Sequence, residues 1–148
     1  MADPRFKWYG DKVQKDMARA AAMGINRTMA LCVGHAKNNH PWKNRTATAE
    51  KSIKIAAAAT PGPRAIGIWG STNNNYFASL ELGSKPHPIY PKRGKVIAFT
   101  SRSGQKVVVK YVPKHPGNKP MPTLVPTSKK IYPLLPEQIK RAFLEVSG

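Results

Sequence analysis

Proline placement constrains this 148-residue chain more than any other feature. Ten of the fourteen prolines fall between Pro86 and Pro136. Proline fixes φ and lacks an N–H, so it is excluded from helix interiors and central strands. The densest stretch, KYVPKHPGNKPMPTLVPT from Lys110 to Thr127, holds five prolines, a His-Pro-Gly triplet, three lysines and no acid. That composition predicts a proline-rich loop over 113–136, followed by a helix over about 136–146 that opens on Pro136, a favoured first helical position. A loop of this length inside a compact domain usually carries function.

Upstream, Val13, Met17, Ala20, Ala21, Ile25, Met29, Leu31 and Cys32 recur near helical spacing with Lys12, Lys15, Arg19 and Arg27 between them. The pattern predicts one long amphipathic helix over about 11–37, stopped by Asn38-Asn39-His40-Pro41. KSIKIAAAA and AIGIWG around the turn TPGPR read as an antiparallel hairpin. YFASLELG reads as a short helix over about 76–82 capped by Gly83, with Tyr76, Phe77, Leu80 and Leu82 inward and Glu81 outward. KVIAFT and KVVVKYV flank SRSGQ as a second hairpin. With Thr100 opposite Gln105, Val96, Ala98, Val107, Val109 and Tyr111 share a core face. Lys95, Lys106 and Lys110 then surround Ile97, Phe99 and Val108 on the other face. The expected fold is α+β in a single domain, 1–148. An antiparallel sheet of about four strands, within about 51–112, packs against the long N-terminal helix, with the short C-terminal helix beside it.

Charge points to the partner. Twenty-five Lys and Arg against seven Asp and Glu give +18, and no acid occurs from Leu82 through Pro136. A surface needed only for solubility mixes both signs, so this balance implies a polyanion, with nucleic acid ahead of an anionic membrane. No stretch is long and apolar enough to span a bilayer, and the start Met1-Ala2-Asp3-Pro4 has no apolar signal core, which implies a soluble protein made in the cytoplasm.

Catalytic chemistry finds little support. The seven acids are scattered rather than paired, and the pairs His35/His40 and His87/His115 lack metal-ligand spacing. GPRAIGIWGS lacks the Gly-Lys-Ser/Thr ending of a phosphate loop. A lone Cys32 excludes an internal disulfide or a cysteine zinc site and fits a buried core thiol. No catalytic residue, metal or cofactor is expected. Trp8, Tyr9, Trp42 and Trp69 suit either base stacking or core anchoring.

The order of these pieces resembles the head-to-tail joining, or tail-completion, proteins of long-tailed bacteriophages. The resemblance rests on Trp8 and Gly10 before the long helix, Ala36 and Lys37, Pro41, and Ser52 with Ile53. It continues through Tyr76, Ala78, Glu81 and Gly83, then PHPIYPK from Pro86 to Lys92. Its most specific part is the loop after the second hairpin, carried by Val112, His115, Pro116, Gly117, Lys119 and Pro122. Phe77 is inserted between the matching Tyr and Ala, Pro113 and Lys114 lengthen the loop spacing by one residue, and Thr123 and Leu124 replace the family's aromatic after the loop proline.

The resemblance implies a structural virion protein without enzymatic activity, located in the neck at the head–tail junction and made in the host bacterial cytoplasm. It implies a homo-oligomeric, six-fold ring that meets portal-side, neck and tail-tube proteins, with double-stranded DNA passing non-specifically through the lumen and no membrane involved. On the residues, Lys92, Arg93, Lys95, Arg102, Lys106 and Lys110 are the expected DNA-facing set. Lys114, His115, Pro116, Gly117, Asn118, Lys119, Pro120, Met121 and Pro122 are the expected loop toward an adjacent subunit or neck protein. The alternative is a free basic nucleic-acid-binding protein. A small basic nuclease or toxin fits the supply of acids and histidines poorly.

Overall fold

The computed structural model describes residues 7–44, 47–72, 74–101 and 103–148. The chain divides into two compact units. The first runs to Phe77 and resumes at Pro122–Gly148, and the second is Ala78–Met121.

In the first unit, helix α1 (Gly10–Asn38) is 29 residues long, about 43 Å at 1.5 Å per residue. It ends where Asn39 folds back on His35, its N–H and Nδ2 donating to the His35 carbonyl at 2.9 and 3.0 Å, two residues before Pro41. Ala20, Met29 and Cys32 of the expected apolar set are buried, but the buried face is centred elsewhere. Asp16, Ala20, Gly24, Thr28, Cys32 and Ala36 follow one another at every fourth residue and are all buried. Val13, Met17 and Leu31 are 43–52% exposed. A ridge of small residues lets another helix come close, and α5 (Leu135–Ser147) does so. A Cβ on Gly24 would lie 2.7 Å from the Ile139 Cα, and Ala142 of α5 is fully buried. Arg27 and Glu145 tie the same pair of helices at the surface.

A short helix α2 (Thr48–Ser52) leads into β1 (Ile53–Ala57), which pairs antiparallel with β2 (Ile68–Ser71). Ile53 lies opposite Ser71 and Ile55 opposite Trp69, as the alternation predicts, and Ile53 is completely buried. Asn26 of α1 clamps the end of this hairpin, donating to the Ala59 carbonyl and accepting the Ala59 N–H at 2.9 and 2.8 Å. The amide side chain thereby replaces the strand partner that Ala59 would otherwise lack.

The stretch expected as loop through residue 136 is largely helical. Helix α4 spans Leu124–Ile131, a 3-10 turn covers Tyr132–Leu134, and α5 follows at once. Pro126, Pro133 and Pro136 occupy first-turn positions, where the N–H has no helical acceptor to lose. α4 packs on α1 through a 3.1 Å hydrogen bond between His35 Nδ1 and Thr127 Oγ1, and Trp69 Nε1 donates to the Tyr132 hydroxyl at 3.1 Å.

Helix α3 (Asn74–Leu82) carries the chain from the first unit into the second. Phe77 is 3% exposed and meets Trp42 edge-on, with ring centroids 5.5 Å apart, while Trp42 stacks on His40 at 4.4 Å. Leu80 is buried, but Tyr76 and Leu82 are 53% and 77% exposed, so only half of the expected apolar set turns inward. Glu81 is half-buried rather than fully outward.

The four-stranded sheet does not form. The strands make three separate two-stranded ladders, β1–β2 in the first unit and β3–β6 and β4–β5 in the second. Here β3 is His87–Ile89, β4 Ile97–Thr100, β5 Lys106–Val109 and β6 Val112–His115. The second pair is nested inside the first, as one long hairpin with a break. Seven residues (90–96, with Pro91 and Gly94) leave the ladder on one side against two (Lys110 and Tyr111) on the other. That mismatch stops the two ladders from running on as one.

Candidate DNA and partner interface

Residues 78–121 carry nine Lys and Arg against one acid, Glu81. Lys92, Arg93 and Lys95 are exposed on the connection between β3 and β4, and Lys106 and Lys110 are exposed on and just after β5. Arg102 lies outside the described residues.

The β4–β5 register is one residue from the expected one. Thr100 pairs with Lys106, Phe99 with Val107, Ala98 with Val108 and Ile97 with Val109. The turn takes five residues, closed by the Ser101 N–H donating to the Gln105 carbonyl at 2.8 Å and the Gln105 N–H donating to Ser101 Oγ at 3.1 Å. One extra turn residue moves every β4 side chain to the opposite face. Ile97, Val107 and Val109 are therefore the half-buried set, with Phe99 beside them. Ala98, Thr100, Lys106 and Val108 form the open face, with Val108 62% exposed. Lys106 stays on the exposed face as expected, because the β5 alternation is unaffected. Lys95 falls outside β4, so strand alternation does not fix its direction.

The His-Pro-Gly segment is not a free loop. Val112–His115 is β6, with His115 paired to His87 and Val112 to Ile89. Beyond it, Asn118 and Ser84 exchange backbone hydrogen bonds of 2.9 and 3.2 Å, and the Met121 N–H donates to the Leu80 carbonyl at 2.8 Å. Gly117 turns the chain between these attachments at φ +78°, and a Cβ there would sit 2.0 Å from the Ser84 carbonyl oxygen. Lys114, Pro116, Asn118, Lys119 and Pro120 remain exposed, while His115, Gly117 and Met121 are half-buried. Pro122 belongs to the first unit, where it is exposed.

Two ring pairs went unseen in the sequence. Tyr90 and Tyr111 stack at 5.8 Å with planes 12° apart, just past the Ile89–Val112 pair, and both are exposed. The His87 and His115 rings lie 5.2 Å apart. Both pairs follow from the β3–β6 register, which the proline-rich sequence concealed.

Other candidates resolve simply. Trp42 is a core anchor and Trp8 and Tyr9 are exposed. Cys32 is buried, and burial pushes its thiol up to about 11. Asp16 is buried. No group of three His, Cys, Asp or Glu among the described residues is placed to hold a metal, and no helix among them is long and apolar enough to cross a membrane. Comparison with protein families, with curated proteins and with solved structures finds no match for this chain.

Proposed function

We propose that this chain is a structural protein of the neck of a long-tailed bacteriophage virion. It forms a homo-oligomeric, six-fold ring that joins the DNA-filled head to the tail, with portal-side and tail-tube proteins on its two sides. The observation that carries the reading is the open face of the β4–β5 ribbon with Lys106 exposed on it and Lys110 exposed just past its end, in a segment of nine cations and one acid. Such a surface suits a polyanion that slides past, since phosphate contacts are strong and independent of sequence. The order of motifs along the chain supports the assignment to the neck. The mechanism is passive: the ring aligns and seals, and its lysines line the path of the duplex without performing a covalent step.

The test is a Lys106→Glu/Lys110→Glu variant assembled into particles. Ring formation should survive while DNA retention or ejection fails, and loss of the ring would show that these lysines serve a protein interface. The same charge pattern also fits a free nucleic-acid-binding protein. In that case the isolated monomer binds duplex DNA tightly at physiological salt, and each lysine neutralised lowers the log–log salt slope by about 0.9.

A further inference from the structure

Two hydrogen bonds around the His-Pro-Gly turn dictate where the protons of His87 and His115 lie. His87 Nδ1 is 2.8 Å from the Lys85 carbonyl oxygen, an acceptor, so His87 carries its hydrogen on Nδ1. His115 Nδ1 is 3.1 Å from the Gly117 nitrogen, whose N–H points at it, so His115 Nδ1 is a bare acceptor. His115 is consequently neutral, with its hydrogen on Nε2. The Gly117 N–H that it receives orients the turn whose next residue, Asn118, pairs with Ser84 through its backbone and through a 3.0 Å bond from its N–H to Ser84 Oγ.

We propose that His115 and Gly117 form a proton-sensitive latch, which holds residues 116–121 against 80–85 while His115 is neutral and releases them when His115 takes up a proton. An added proton on His115 must go to Nδ1, where it confronts the Gly117 N–H, donor against donor, and the turn loses the bond that shapes it. His87 lacks this conflict, because a second proton goes to Nε2 and leaves the bond to Lys85 intact. The titratable groups on the segments packed around His115 are His87 and Lys85 on the β3 side and Lys114 and Lys119 on its own side. Glu81 is the one acid of residues 78–121, and it belongs to the preceding helix. Protonation at Nδ1 removes the bond from the Gly117 N–H, so the closed form is disfavoured as pH falls. A metal bridging the two rings is disfavoured by the same geometry, since ligation through His115 Nε2 needs the hydrogen on Nδ1. The latch gives the stapled segment a route to a partner, and it does not depend on the neck assignment.

The test is nuclear magnetic resonance on the intact chain between about pH 8 and pH 5, the range in which imidazoles charge. Ring nitrogen shifts at the upper end should show the Nδ1–H form at His87 and the Nε2–H form at His115. Hydrogen-exchange protection of the Gly117, Asn118 and Met121 amides, corrected for intrinsic rates, should then fall about tenfold or more toward the lower end. His115→Asn, which keeps an acceptor oxygen but cannot be charged, should hold its protection constant, and His87→Asn should still open. Protection independent of pH in the parent chain, an Nδ1–H form at neutral His115, or equal acid loss in His115→Asn would each overturn the latch. So would a zinc-induced shift of both Nε2 resonances at neutral pH.

Discussion

Gly117→Ala should loosen the base of the long hairpin, and its cost can be built from the turn itself. At φ +78° an alanine carries left-handed strain of about 1–2 kcal/mol. Its Cβ would also lie 2.0 Å from the Ser84 carbonyl oxygen and 2.9 Å from the Lys85 carbonyl carbon and oxygen. All three are backbone atoms, so no side-chain rotation relieves the overlap. The strands must separate, giving up the two Ser84–Asn118 backbone bonds at about 1 kcal/mol each. The total is about 3–4 kcal/mol. Gly104→Ala is the control, because Gly104 has φ +84° but nothing within 4 Å of its Cβ position, so only the strain remains. Amide exchange at Ser84, Asn118 and Met121, with thermal melting of both variants, measures the difference. If Gly117→Ala keeps its amides as protected as Gly104→Ala does, the close approach of residues 84–85 to the turn is wrong.

Phe77→Ala should lower stability by about 3–5 kcal/mol, as loss of a buried aromatic does, while Tyr76→Ala beside it should melt within about half a kcal/mol of the parent. Denaturant unfolding of the two variants tests the inward set of α3. The Arg27 guanidinium, through its hydrogen bonds and charge, holds the Glu145 carboxyl below its ordinary range and is itself raised by the pairing. A lowered carboxylate contributes stability that is present above its unfolded value and lost as pH falls through the folded one. Glu145→Gln should therefore differ from the parent in melting temperature at neutral pH and converge with it in acid or high salt. Burial that lifts the Cys32 thiol to about 11 should leave it unlabelled by iodoacetamide near pH 8 until denaturant is added, so stoichiometric labelling of the folded chain would contradict its placement.

Much of the architecture was legible because it rests on strong local signals. The long helix announced itself by its period and by the Asn-Asn-His-Pro stop, and the first hairpin by alternation of Ile53 and Ile55. The face of α1 was legible only in part, at Ala20, Met29 and Cys32, since hydropathy ranks Val13, Met17 and Leu31 above Gly24 and Thr28. Close helix packing selects for small size rather than for apolarity. The prolines misled in a similar way: their count argues for loop, but Pro126, Pro133 and Pro136 each sit where a helix tolerates one, and only the three-dimensional position reveals it. The exposure of Lys106 was legible from the β5 alternation, while the face of β4 hung on one turn residue. The tautomers of His87 and His115 depend on partners 2 residues away in geometry that no spacing rule encodes.

The seam of small residues along α1 also has a consequence for how the chain is made. Its cover, α5, begins at Leu135, more than a hundred residues after Gly24 leaves the ribosome. At about 5–20 residues per second the uncovered helix waits several seconds or more for its partner. Residues 78–121 can meanwhile close on themselves, since each of their strands finds its pair within the same stretch. Chains truncated before Leu135 should expose the seam and be held by chaperones, whereas chains released from the ribosome with α5 complete should not. Completion of the first unit is in this sense a late event in synthesis, however early its first helix forms.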